Sequence, residues 1–247
     1  MSERPFEESI PTVDEHGATV QRMFSTISHG YDRANRWMSM GTDIRWRRQA
    51  VASMLPKDAG DKPNILDLCA GTLDSTMEIH KQYPHANVTG GDFSAGMIEN
   101  GRHKITPDIA DRVHAAQMDA HSLPFDDRSL DAIFCAFGVR NVSDLPLATR
   151  EQARCLRPGG ELTVLEFFRP TSLFTRAFHG AYNNTMLPVV GWLATGNLDA
   201  YLYLPRSIGA FQTTDSYREL LEANGFANVR IQDLTFGVAS VVRATRA

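Results

Sequence analysis

The residues that could do chemistry fall into three short groups. The first is the run from Ile65 to Asp74, ILDLCAGTLD, which is apolar at its start, broken by one glycine and polar at its end. It reads as a strand, a tight loop and the first turn of a helix. Gly71 lets a ligand approach the backbone closely, and a helix beginning near Thr72 offers free N–H groups and a partial positive charge to an anion. The second is Asp92, at the end of the extended run ANVTGGD roughly 20 residues further on, where a carboxylate can accept both hydroxyls of a ribose. The third is the pair Asp119 and Ala120, placed to read the edge of an adenine. A dinucleotide fingerprint needs three glycines where this loop has only Gly71, and a phosphate-cradling loop needs a Gly-Lys-Ser/Thr ending that is absent. An anion smaller than pyrophosphate, such as an amino-acid carboxylate, suits the loop better. Adenosine plus a small carboxylate describes S-adenosyl-L-methionine.

Those residues need a scaffold that brings strand ends together. Strand-like and helix-like runs alternate from residue 64: NILDLC, ANVTGGD, RVHAAQMD, LDAIFCAF and ELTVLEFF, then NVRIQDLT and ASVVRAT after a last helix, SYRELLEANGF. The run LDAIFCAF is continuously apolar, as a strand buried on both faces is. Ser94 and Asp144 can cap helices reaching about Lys104 and Leu156, and Arg-Pro-Gly-Gly at 157–160 reads as a turn into the fifth strand. Alternation of this kind implies right-handed crossovers and a largely parallel sheet. The expected fold is α/β, Rossmann-like, with a mostly parallel seven-stranded sheet and helices on both faces. Residues 1–55 form a polar tail and a helical cap, residues 56–63 a Pro/Asp/Gly-rich connector, and residues 56–247 the core. The stretch 171–197 is too long for an ordinary connection and rich in Phe, Trp, Leu and Met. It reads as a satellite helix, a lid or a membrane-touching patch.

Composition excludes several classes. The 247 residues are 43% hydrophobic and 22% charged, with 25 basic and 29 acidic residues well mixed, so no basic track for nucleic acid is present. Cys69, Cys135 and Cys155 have no metal-ligand spacing, and no metal is expected; Cys69 and Cys135 lie in apolar runs and read as reduced, buried thiols of a reducing compartment. The acid-containing start MSERPFEESI, with no apolar core, reads as neither a signal peptide nor an obvious transit peptide, and no apolar run approaches the roughly 20 residues that span a bilayer.

From about Met23 to Arg243 the chain resembles the ubiquinone/menaquinone-biosynthesis C-methyltransferase family of class I methyltransferases. The resemblance rests on YDRAN with its following tryptophan, ILDLCAGTLD, AHSLPFDDRSLDAIFCAFGVRNVSD, LPRSIGAF and GFANVRIQDLTFGVAS; RPGGELTV is shared with many methyltransferases. It implies that Thr72, Asp92, Asp119 and Ala120 hold S-adenosyl-L-methionine and that the acceptor is a demethylated polyprenyl quinol. Two departures stand out: Leu73 replaces a glycine of the family loop, and Ala136 replaces a serine. Leucine costs about 1–2 kcal/mol if the position needs a left-handed backbone, and nothing if it is already helical.

A quinol ring carbon becomes nucleophilic when a neighbouring hydroxyl, titrating near pKa 10 as phenols do, loses its proton. Arg140, with Asn141 beside it after the fourth strand, is assigned to the developing oxyanion, against the alternative of a salt bridge to Asp144. Tyr31 could line the acceptor pocket, and Asp32 or His29 could take a proton through water. Glu166, an acid in an apolar run, is either buried with a raised pKa or bonded to backbone or an arginine. The cap and the 171–197 stretch would shelter the isoprenoid tail of a cytoplasmic enzyme that meets its substrate at the inner membrane surface. A homodimer is an open reading, since the sequence does not reveal the oligomeric state. The rival readings are methylation of another hydrophobic molecule and a non-catalytic quinone-binding subunit; missing glycines disfavour an NAD-dependent oxidoreductase.

Overall fold

The computed structural model describes Ser39, residues 41–171 and residues 198–247, with backbone alone for 198–203. The elements, in chain order, are α1 (Thr42–Val51), β1 (Asn64–Leu68), α2 (Asp74–Gln82), β2 (Asn87–Asp92), α3 (Ala95–Arg102), β3 (Val113–Gln117), β4 (Leu130–Ala136), α4 (Leu145–Cys155), β5 (Leu156–Glu166), α5 (Leu198–Ala210), α6 (Thr214–Ala223), β6 (Phe226–Leu234) and β7 (Ala239–Arg246). They build one seven-stranded sheet in the order β3-β2-β1-β4-β5-β7-β6. Strands β1 to β5 pair in parallel, and β7 runs antiparallel to both β5 and β6. The chain moves outward from β1 to β3 and then crosses back to β4, so the reversal falls between β1 and β4. That is where open α/β sheets bind ligands, beyond the carboxyl ends of the strands.

Alternation along each strand sorts side chains into two cores. Leu66, Leu68, Ile133, Cys135, Leu162, Val164 and Val242 join Ala148 of α4 and Tyr217 and Leu221 of α6 on one face. Ile65, Val88, Ala132, Phe134, Leu165 and Val241 join Trp46 and Val51 of α1 and Ile79 of α2 on the other. Helices therefore cover both faces, which is why the central strands read as unbroken apolar runs.

The helix starts follow their caps. Ser94 accepts from Met97 N, Asp144 from Leu147 N, and Thr213 forms a reciprocal capping box with Ser216. One expected turn differs: residues 157–160 lie inside β5, beside an irregularity between Leu130 and Ala132 of its partner strand. A Cβ on Gly160 would come 2.9 Å from Arg157 O and 3.0 Å from Asp131 O, so the glycine lets this irregular pairing close. Of the N-terminal cap, α1 is described; Tyr31, Asp32 and His29, and 172–197 of the apolar stretch, lie outside the described residues.

Candidate functional site

The loop after β1 winds through three left-handed residues, Cys69 (φ 58), Gly71 (φ 55) and Leu73 (φ 68). Its conformation is pinned from several directions. Ala70 N donates to Gly91 O at 3.0 Å, and Leu73 N donates to Ala70 O at 2.9 Å. Gly71 N donates to Asp92 Oδ2 at 2.8 Å, and the Lys104 ammonium donates to Thr72 O at 2.7 Å and Asp74 Oδ1 at 2.6 Å. A Cβ built on Gly71 would meet no atom of the described residues within 4 Å, so these residues leave a ligand room to reach this part of the backbone.

Leu73 takes the costly alternative: its backbone is left-handed, at about 1–2 kcal/mol. Its side chain is fully buried with Ala70 and Ile98, against the partly buried Ile105 and Ala115. Two glycines make the space. A Cβ on Gly90 would lie 2.7 Å from Leu73 Cδ2, and one on Gly101 would lie 2.7 Å from Leu73 Cγ. The isobutyl group thus points into the protein, between α3 and β2.

Asp92 ends β2, and its carboxylate joins two elements. Oδ2 accepts from Gly71 N, and Oδ1 accepts from Ser94 N at 2.8 Å. Burial raises its pKa, and the two backbone N–H groups oppose that shift. Asp67, deeper on β1, is pushed up to about 7 by burial. Thr76 Oγ1 donates to its Oδ2 at 2.6 Å, while Oδ1 is buried with no hydrogen-bond partner among the described residues.

After β3, Asp119 and Ala120 are both buried. Asp119 Oδ1 accepts from His121 N at 2.9 Å and lies 2.7 Å from His121 Nδ1. Asp144 N donates to His121 Nε2 at 3.1 Å, which assigns the ring proton to Nδ1. His121 therefore ties the Asp119 turn to the start of α4.

Beyond β4, a 3-10 turn at Val139–Asn141 carries Arg140 and Asn141. The Arg140 side chain is 5% exposed, and its partner is Glu166 at the end of β5, with Nη1 to Oε1 at 2.7 Å. The expected alternative partner, Asp144, instead caps α4. Arg140 Nη1 also donates to Phe137 O at 2.7 Å, and Nε donates to Ser207 Oγ at 3.3 Å. Glu166 Oε1 further accepts from Phe167 N at 2.7 Å. Burial raises the Glu166 pKa and Arg140 opposes the rise, so both sequence readings of this acid hold together. The rings of Phe137 and Phe167 stack at 4.7 Å beside the pair.

The structure thus gathers Gly71, Thr72, Asp92, Asp119, Ala120, Arg140 and Asn141 at or just beyond the carboxyl ends of β1 to β4. Sequence reasoning missed Lys104 and His121. A lysine soon after a helix and a histidine two residues past Asp119 are weak signals, because the contacts of Lys104 with Thr72 O and Asp74 and of His121 with Asp144 N form only once the chain has folded.

The model of the ubiE/COQ5 methyltransferase family matches residues 12–246. The demethylmenaquinone methyltransferase of Thermus thermophilus is 41% identical over 219 residues, covering 89% of this chain and 97% of that protein. The ubiquinone/menaquinone biosynthesis C-methyltransferase UbiE of Geotalea daltonii is 38% identical over 229 residues, covering 92% of this chain and 96% of that protein. Among solved structures, the [4+2]-cyclase SpnF superposes with a TM-score of 0.69 at 16% identity, covering 96% of this chain and 98% of that one, a likeness of fold alone.

Proposed function

This chain belongs to the ubiE/COQ5 methyltransferase family, and from that premise we propose that it methylates a ring carbon of a polyprenyl quinol, a demethylmenaquinol or a ubiquinol precursor, with S-adenosyl-L-methionine as donor. The observation that carries the proposal is the family match across 12–246, joined to a β1–β4 switch point whose loop the described residues leave uncovered at Gly71. When bound, S-adenosyl-L-methionine supplies an electrophilic methyl group on a sulfonium.

The residues present fit that group. Asp92 keeps lone pairs for ribose hydroxyls after accepting one backbone N–H on each oxygen. The loop Gly71–Thr72 and the start of α2, whose N-cap Leu73 supplies no capping side chain, suit the amino-acid carboxylate. Asp119 and Ala120, braced by His121, hold the adenine edge. Arg140 stabilises the negative charge that develops on the acceptor's hydroxyl oxygen, Glu166 fixes the guanidinium, and Asn141 faces the acceptor beside it, with Tyr31, outside the described residues, assigned to the acceptor from the sequence. Most of the work is positioning donor and acceptor in line and excluding water.

No helix among the described residues is long and apolar enough to cross a membrane. A polyprenyl acceptor dissolves in lipid, so the enzyme would meet it from the cytoplasm at the bilayer surface. The test is incubation of purified protein with methyl-labelled donor and a panel of demethylated quinols in lipid vesicles. Label in the quinol ring carbon is the expected result; label in a different acceptor only, or none, overturns the assignment. Arg140→Ala should lower turnover more than affinity for S-adenosylhomocysteine, and equal losses would make Arg140 structural.

A further inference from the structure

Two thiols beneath this site take no part in the transfer. Strands β1 and β4 pair in parallel with Leu68 opposite Cys135, so Cys69 follows the residue that faces Cys135. Paired residues of neighbouring strands lie about 4.8 Å apart, and Cys69 is the residue after Leu68, turned out of the strand's side-chain alternation by its left-handed backbone. A disulfide spans Cα separations of about 4.4–6.8 Å, which this juxtaposition allows. The sulfurs converge on one point: a Cβ built on Gly138 would meet Cys69 Sγ at 2.8 Å and Cys135 Sγ at 3.2 Å. Both cysteines are free, Cys69 half-buried and Cys135 buried. Cys69 opens the cofactor loop, two residues before the Gly71 N–H that Asp92 holds. Cys135 lies just before Phe137, whose carbonyl accepts from Arg140. A link between them would fasten the base of the loop to the end of β4.

We propose that Cys69 and Cys135 are a redox pair that a quinone oxidises to a disulfide, and that the disulfide weakens cofactor binding. The choice of oxidant rests on the quinol-methylating function above. In the step two S–H bonds break and one S–S bond forms. The two electrons and two protons pass to the carbonyl oxygens of the quinone, which becomes the quinol. The oxidised form of the acceptor thereby slows the enzyme while being converted to the form that methyl transfer requires. Hydrogen bonding with Cys69 and burial keep the Cys135 thiol protonated, so the more accessible Cys69 begins the exchange.

The test uses the reduced full-length protein, treated without oxygen with a water-soluble 1,4-naphthoquinone, alkylated, and mapped by mass spectrometry without reductant. Expected are a cross-linked peptide pair holding Cys69 and Cys135, two hydrogens lighter than the reduced peptides, and release of the naphthoquinol. Affinity for S-adenosylhomocysteine should fall about tenfold, a change of about 1.4 kcal/mol, and return with dithiothreitol. Cys69→Ser and Cys135→Ser, each compared with itself before and after quinone, should show no such fall; Cys135→Ala serves if the serine variant does not fold. Thiols that stay open to alkylation, a quinone adduct on Cys69 as the sole product, or a disulfide formed by hydrogen peroxide but not by quinone would overturn the proposal. An affinity loss that persists in the Cys135 variant would do the same. None of these readouts requires methyl transfer, so a protein that methylates no quinol but forms the disulfide would sink the assigned function and leave the redox pair standing.

Discussion

At the scale of single residues, two positions carry measurable consequences. Leu73 pays for its left-handed backbone with burial, since a fully buried leucine truncated to a small residue typically loses about 2–5 kcal/mol against the 1–2 kcal/mol of backbone relief. Leu73→Gly should therefore destabilise the protein by about 1–3 kcal/mol in urea unfolding and should not tighten S-adenosylhomocysteine binding. Tighter binding with unchanged stability would mean that the leucine obstructs the cofactor. Asp67 gives a pH signature. Its folded-state pKa, about 7, is raised above the ordinary carboxylate value by burial. The folded protein therefore holds a proton that the unfolded chain releases, and stability from this group is full below about pH 4 and is lost as pH rises toward 7. Asp67→Asn keeps an oxygen to accept from Thr76 but cannot ionise. The variant should gain stability relative to the parent between pH 4.5 and 7.5, by an amount on the order of a few kcal/mol. A stability difference that stays flat across that range in urea titrations would show that Asp67 ionises without penalty.

At the scale of elements, the candidate cofactor loop is held by neighbours that the chain supplies from elsewhere. Lys104, past the end of α3, bonds both Thr72 O and Asp74 and so clamps the loop to its helix. Lys104→Met should lower cofactor affinity by roughly tenfold, about the value of one charge-assisted hydrogen bond, while changing the urea midpoint little. A large loss of stability with unaltered binding would make the clamp purely structural. This division also explains what could be read in advance. The strands, the caps at Ser94 and Asp144, and the places of Gly71, Asp92 and Asp119 follow from local periodicity and turn chemistry, and the structure has them where the sequence puts them. The departure at Leu73 was visible, but its accommodation was not, because Gly90 and Gly101 meet it only after β2 and α3 fold against the loop. The Arg140 partner was misplaced for the same reason. Asp144 is near in sequence, whereas Glu166 is 26 residues away and arrives only through the pairing of β4 with β5. The Arg-Pro-Gly-Gly turn is likewise absorbed into β5 by its neighbour strand.

At the scale of the whole molecule, the sheet order separates the candidate site from a bracing half. The carboxyl ends of β1 to β4 gather the candidate residues, while β6 lies at the opposite edge from β3, beyond the antiparallel β7. There the buried Glu161 accepts from Arg230 at 2.9 Å and from Thr245 Oγ1 at 2.8 Å, tying β5, β6 and β7 together. A ligand that binds the folded state alone stabilises the whole fold by about 2.7 kcal/mol at a hundredfold excess over its Kd, yet it slows local openings only where it makes contact. Saturating S-adenosylhomocysteine should therefore slow amide exchange most in 69–74, 91–94 and 118–121, with β6 and β7 gaining only the protection that follows from global stability. Asp92→Ala should weaken binding by about 1.5–3 kcal/mol, as loss of charged hydrogen bonds does, and at the same ligand concentration should lose most of the stabilisation. If protection instead appeared first along β6 and β7, or if Asp92→Ala kept the full shift in unfolding, the cofactor would have to sit away from the β1–β4 crevice, and the roles given to Asp92, Asp119 and the Gly71 loop would fall together.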